Sequence, residues 1–137
     1  MGVSNTGFIQ VVREMLLTVS DITDIVENRV FSTHFIDYER ATTQFPCIII
    51  ERIGGKAAYA ESFQKVSFAV YCYSKVSTDE AMSIYDLVYS NINATRLYID
   101  GLGTKGYCLE TERPKDDYNM SCKGWYAKGR FLSYNAS

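Results

Sequence analysis

Between Ser62 and Ile92 the polar and apolar positions change rhythm once, from alternation to a helical repeat. From Gln64 onward Val66, Phe68, Val70 and Cys72 recur every second residue, which predicts a half-buried strand with Lys65, Ser67 and Ala69 on its other side. Ser77-Thr78-Asp79-Glu80 then has the form of a capping box, in which the Ser77 hydroxyl accepts from the Glu80 amide and Glu80 reaches back to the Ser77 amide. After it Ala81, Ile84, Tyr85, Val88 and Ile92 recur at spacings of three and four. That predicts a helix with one apolar stripe, to be buried against the strand just before it.

The same reading extends along the chain. A first helix is expected over about Gly7 to Val19, capped by Asn5 or Thr6 and buried through Phe8, Val11, Val12, Met15, Leu16 and Val19. Ser20 to Val26 reads as a second cap with a single helical turn, and Arg29-Val30-Phe31 as a brief extended piece. Ser32 to Gln44 is polar and irregular, a long loop of the kind that is either mobile or a contact surface. Cys47 to Ile53 is β-branched enough for a strand, with Pro46 at its entry and Gly54-Gly55 at its end. Lys56 to Glu61 would then be the tip of an antiparallel hairpin.

Further on, Leu97 to Asp100 and Tyr107 to Glu112 are short strand candidates, the second stopped by Pro114. Lys115 to Met120 reads as a charged turn, Trp125 to Tyr134 as a last strand, and Asn135 to Ser137 as a frayed tail. The order of elements predicts a single α+β domain over residues 1–137. Its sheet is largely antiparallel, a mixed one being also compatible, and carries two α-helices on one face.

Composition narrows the functions open to such a domain. A chain of 137 residues with 47% hydrophobic and 22% charged residues has ordinary globular balance. A net charge of −2 provides no basic face for tight binding of phosphate backbones. Cys47, Cys72, Cys108 and Cys122 lie far apart without C-x-x-C spacing, as reduced, buried thiols of an intracellular protein would. No export signal and no run of about 18 apolar residues is present, so a soluble chain with no membrane partner is expected.

Motif matches are weak chemically. Gly101 to Gly106 spells G-x-G-x-x-G, but it leads into a strand rather than a helix, so no helix N-terminus faces a phosphate. Met1 to Thr6 fits a myristoylation pattern yet overlaps a helix cap, and Asn93 and Asn119 head glycosylation sequons. His34 is the only histidine and nothing pairs it with a nucleophile. Glu110 and Glu112 alternate on one strand face, and Asp116-Asp117 adjoin in a turn; both fit solvated positions better than an acid–base pair across a cleft. No catalytic residue, metal ligand or cofactor site is expected.

Aromatic usage does stand out, with eleven tyrosines in 137 residues. Tyr71 and Tyr73 share the face of their strand that turns away from the helix, Phe63 belongs to the same face, and Tyr126 decorates the last strand. Tyrosine packs well across strands, and it is also enriched where one subunit meets another. Phe63, Tyr71, Tyr73 and Tyr126 are therefore the candidate subunit interface.

The order of the N-terminal helix, Ile25 to Phe31, Phe45 to Ile50, Val66 to Tyr73, the helix from Ala81 and the strand Trp125 to Leu132 resembles the tail terminator proteins of long-tailed bacteriophages, also called tail completion or tail-to-head joining proteins. The resemblance implies a non-enzymatic virion protein, assembled in the host cytoplasm and residing at the tail/neck junction. Such proteins form a ring, usually a hexamer, that caps the tail tube, ends its polymerisation and docks the neck of the head. Implied partners are further copies of the chain, the major tail tube protein and the head–tail connector, with DNA sliding through the lumen unbound. Candidate partner or lumen positions are Asp37 and Arg40, Lys56, Tyr59 and Glu61, and Lys105. Rival readings are another neck component, such as a head completion or stopper protein, and a small α+β binding or hydrolytic domain.

Overall fold

The computed structural model describes residues 5–32, 45–57, 63–98, 105–120 and 123–136; within these, 5–8, 54–57, 63–65, 98, 105 and 135–136 are described by their backbone. Helices α1 (Asn5–Leu17) and α2 (Ser20–Val26) lead into the two-residue strand β1 (Val30–Phe31). Strands β2 (Cys47–Ala57) and β3 (Phe63–Ser74), helix α3 (Thr78–Ile92), and strands β4 (Thr95–Tyr98), β5 (Lys105–Asn119) and β6 (Gly124–Ala136) follow. The six strands form one mixed sheet in the order β1-β2-β3-β6-β5-β4, parallel only between β1 and β2.

The expected α+β class holds, with a third, short helix where the pattern shows a single turn. Val66, Phe68, Val70 and Cys72 face the helices as their alternation predicts, joined by Ile48 and Ile50 of β2 and by Ala127 and Phe131 of β6. The α3 stripe of Ala81, Ile84, Tyr85, Val88 and Ile92 is buried in full. Among the described side chains of α1, Ile9, Val11, Val12 and Leu16 are buried, that of Phe8 lies outside them, and Val19 has left the helix to precede α2. Helix α1 touches β1 and β2 at one end of the sheet and β4 and β5 at the other. The sheet therefore curls around the helices, and α1 closes its open side. Arg13 of α1 donates to the Val30 carbonyl over 2.7 Å, which satisfies an outer acceptor of the edge strand β1.

The capping of α3 is half as expected. Ser77 Oγ accepts from the Glu80 amide over 3.1 Å, but the Glu80 carboxylate takes the Ser74 hydroxyl at 2.6 Å instead of the Ser77 amide. Ser74 is buried, and its oxygen accepts from the amides of Val76 and Ser77. The turn is thus tied by a relay that begins at Ser74 in β3, three residues before the sequence motif starts.

The C-terminal limits of three strands need correction. Strand β2 continues through Gly54-Gly55 to Ala57, because a bulge between Arg52 and Gly54 absorbs the irregularity and pairing with β3 resumes. Strand β5 is not stopped by Pro114: register shifts between Glu110 and Glu112 and between Glu112 and Lys115 place the proline where no ladder donor is needed. Lys115 to Asn119 is accordingly strand, paired with β6, and not a charged turn. Asn135 and Ala136 are likewise strand residues, opposite Gln64 and Phe63.

Cys47, Cys72 and Cys108 are buried thiols; Cys122 lies outside the described residues. Burial pushes the Cys72 thiol well above its ordinary range and the Cys108 thiol up to about 12. Both shifts favour the protonated thiol at neutral pH.

Candidate assembly face

A strand with two buried faces needs apolar residues at every position, and Cys47-Ile48-Ile49-Ile50 has them. Ile48 and Ile50 look into the helical core, whereas Cys47 and Ile49 belong to a second cluster on the opposite side of the sheet with Tyr73. Phe31, Phe45, Tyr71 and Tyr126 pack against that cluster. Pairing explains the grouping: Cys47 lies across from Tyr73 and Ile49 from Tyr71 in β3, and Tyr73 lies across from Tyr126 in β6.

The rings form a continuous layer. Phe45 stacks on Tyr73 at 5.2 Å between centroids, Tyr73 meets Tyr126 at 5.4 Å, and Tyr71 meets Tyr126 at 5.8 Å. Gly124 is required by this layer, since a Cβ there would stand 2.1 Å from Phe45 Cε2. Polar atoms close the margins. Asn119 donates to the Tyr73 hydroxyl over 3.1 Å, the Tyr71 hydroxyl donates to Glu51 over 3.3 Å, and the Lys128 ammonium lies 5.1 Å from the centre of the Tyr71 ring. Tyr73 is only 1% exposed and supports the layer from beneath, while Tyr71 and Tyr126 are half-buried and offer ring surface to solvent.

Beside the aromatic layer the same face is charged. Glu112, Lys115, Asp116, Asp117, Tyr126, Lys128 and Arg130 line a trough of ≈ 340 Å³. Glu112 stands 3.6 Å from Arg130 and 3.7 Å from Lys115. Three cations and three anions leave the trough without net charge, an unsuitable lining for a polyanion and a suitable one for another mixed-charge protein surface.

The expected single-face pair of Glu110 and Glu112 does not form. The register shift between them reverses the alternation, so Glu112 faces the trough and Glu110 turns to the helical side. There its carboxylate, 7% exposed, accepts from the Tyr85 hydroxyl and, over 2.8 Å, from Arg113. Arg113 lies in turn 5.2 Å from the centre of the Tyr89 ring. Burial, followed by the neighbouring Glu110, raises the Tyr85 phenol far above its ordinary value. The unfolded phenol loses its proton near pH 10 while the folded one keeps it, so this residue's contribution to stability is full below pH 10 and falls as pH rises beyond it. Tyr85→Phe should therefore remove a component of about 1.4 kcal/mol per pH unit from the alkaline decline, measured by urea unfolding above pH 10.

Of the sequence-predicted interface residues, Tyr71, Tyr73 and Tyr126 are brought together on one face, and Phe63 opens β3 at the far end of the same strand. Lys56 is a strand residue opposite Lys65, and Lys105 opens β5 opposite Tyr98 and Ala136, so neither belongs to a loop. Asp37, Arg40, Tyr59 and Glu61 lie outside the described residues, as do His34 and Gly101 to Thr104. Phe45 and Phe31 are members that the tyrosine count does not reveal. The parity of Phe45 with Cys47 and Ile49 is the signal that places it. The side chain of Asn93 accepts from the Glu110 amide over 2.7 Å, which gives that sequon asparagine a structural use.

Among the described residues no cluster of three or more His, Cys, Asp or Glu side chains could hold a metal, and no helix is long and apolar enough to cross a membrane. No protein-family model and no curated protein matches the chain. Solved structures do match: a chain of the virion of a native gene transfer agent (GTA) particle superposes with a TM-score of 0.68 over 94% of this chain and 94% of that one, at 8% identity. The two chains share a fold from end to end.

Proposed function

We propose that this chain is a non-enzymatic virion structural protein, a tail terminator whose copies assemble into a ring on the tail tube, end its growth and receive the neck. The observation that carries the reading is the end-to-end fold match to a chain of a gene transfer agent virion, reached independently of the element order that resembles the terminator family. The aromatic layer with its charge-balanced flank has the anatomy of a subunit contact, apolar and ring-rich at the centre with polar groups at the rim.

The mechanism that follows is one of surfaces. Tyr71 and Tyr126 supply rigid rings that lose little side-chain freedom on docking, and Glu112, Lys115, Lys128 and Arg130 set the register by charge. The test is direct. Native mass spectrometry of the purified protein should show a closed ring of one stoichiometry, hexameric by the resemblance. The rings should bind tail tubes made without a terminator and restore joining to heads. A protein that stays monomeric at high concentration and leaves such tubes unbound would end this reading.

A further inference from the structure

The outer edge of β5 is exposed to a hazard that its sequence counters at several points. Strand β4 pairs with β5 only from Lys105 to Cys108, and among the described residues no strand pairs with the side of β5 away from β6 beyond that point. A long strand with an open edge is a template for a strand of another molecule. Here the edge also carries surface-exposed Leu109 and Tyr118, 39% and 36% exposed.

Two of its outward donors are nevertheless occupied. The Glu110 amide donates to Asn93 Oδ1 over 2.7 Å, and the Tyr118 amide donates to Asp117 Oδ1 over 2.7 Å, so neither hydrogen is left for an incoming carbonyl. Between them Pro114 has no hydrogen to give. The two register shifts on either side of Glu112 break the straight line that a partner strand would have to follow. Lys115, Asp116 and Asp117 add exposed charge along the same stretch.

We propose that the edge of β5 from Glu110 to Tyr118 is guarded, and that Asn93, Pro114 and Asp117 keep it from accepting a strand of a second copy of this chain. The guard limits self-association to whatever contact the faces of the molecule make. It stands on the edge chemistry alone and is independent of the proposed ring.

The test removes the guard at its exposed positions. The double variant Pro114→Val, Asp117→Ala, compared with the wild type at equal concentration and neutral pH, should give roughly tenfold more sedimenting, thioflavin-positive material with a 4.7–4.8 Å strand spacing. Adding Thr111→Lys to the double variant puts a charge back on the same edge and should return the protein to the wild-type size distribution. The proposal is overturned if the folded double variant sediments like the wild type. It is overturned equally if the double variant aggregates but Thr111→Lys does not reverse it, since aggregation by unfolding would be indifferent to an edge charge.

Discussion

Gly129→Ala is expected to lower stability by about 3 to 4 kcal/mol, read as a fall in the urea midpoint and a drop in Tm of roughly 10 °C. A Cβ at this position would stand 2.0 Å from the Tyr85 hydroxyl and 2.5 Å from its Cζ. Such a contact is relieved cheaply only if the ring can swing away. Tyr85 cannot swing, because it is fully buried, packs 6.2 Å from the Phe131 ring and donates to the Glu110 carboxylate. Moving it would uncouple that bond and leave a nearly buried carboxylate with Arg113 alone, at 2.8 Å. Overpacking and the lost bond act together, so the substitution should cost more than either effect by itself. A midpoint within error of the wild type would show that α3 can shift away from β6 as a body.

Tyr71→Asp is expected to abolish the ring while leaving the monomer folded. In the proposed contact the Tyr71 ring is desolvated against a neighbouring copy, where an unpaired carboxylate would be strongly unfavourable. Within the monomer the new carboxylate would lie among Glu51, which now accepts from the Tyr71 hydroxyl, and Lys128, which now covers the ring. These opposing neighbours and partial exposure limit the cost to lost ring burial, about 1 to 2 kcal/mol. Native mass spectrometry should find monomers, circular dichroism an unchanged spectrum, and thermal unfolding a modest fall in Tm. Rings of wild-type mass would place the contact elsewhere on the molecule. Collapse of the fold would show that the aromatic layer belongs to the core.

The second cluster explains why that experiment has a clean readout. Cys47, Ile49 and Tyr73 with their ring neighbours form a body separate from the helical core, and the β2–β3–β6 ladder lies between the two. Damage to the outer layer is therefore buffered by a sheet whose inner face is intact. Gly129 has no such buffer, since it lies on the inner face beneath α3.

Elements with strong periodicity were legible in the residues alone. The alternation from Val66 to Cys72 and the α3 stripe emerged with the same residues buried, because both patterns arise from contacts within a few positions and need no knowledge of the partner. The face shared by Tyr71 and Tyr73 follows from the same period of two. The end of β2 and the course of β5 were not legible, because Gly54-Gly55 and Pro114 are breakers by local preference and pairing with β3 and β6 overrides that preference through bulges.

Residue pattern alone accounts for the α+β class, the inner face of the sheet and the tyrosine side of β3. Packing between distant segments makes the sheet curl until α1 touches both its ends, lets Arg29 tie β1 to the start of β2 through the Pro46 carbonyl at 2.8 Å, and parts Glu110 and Glu112 to opposite faces. The reason is physical. Local periodicity fixes which side of a strand or helix is apolar, but register, curl and bulge position are set by hydrogen bonding and burial between segments far apart in the chain.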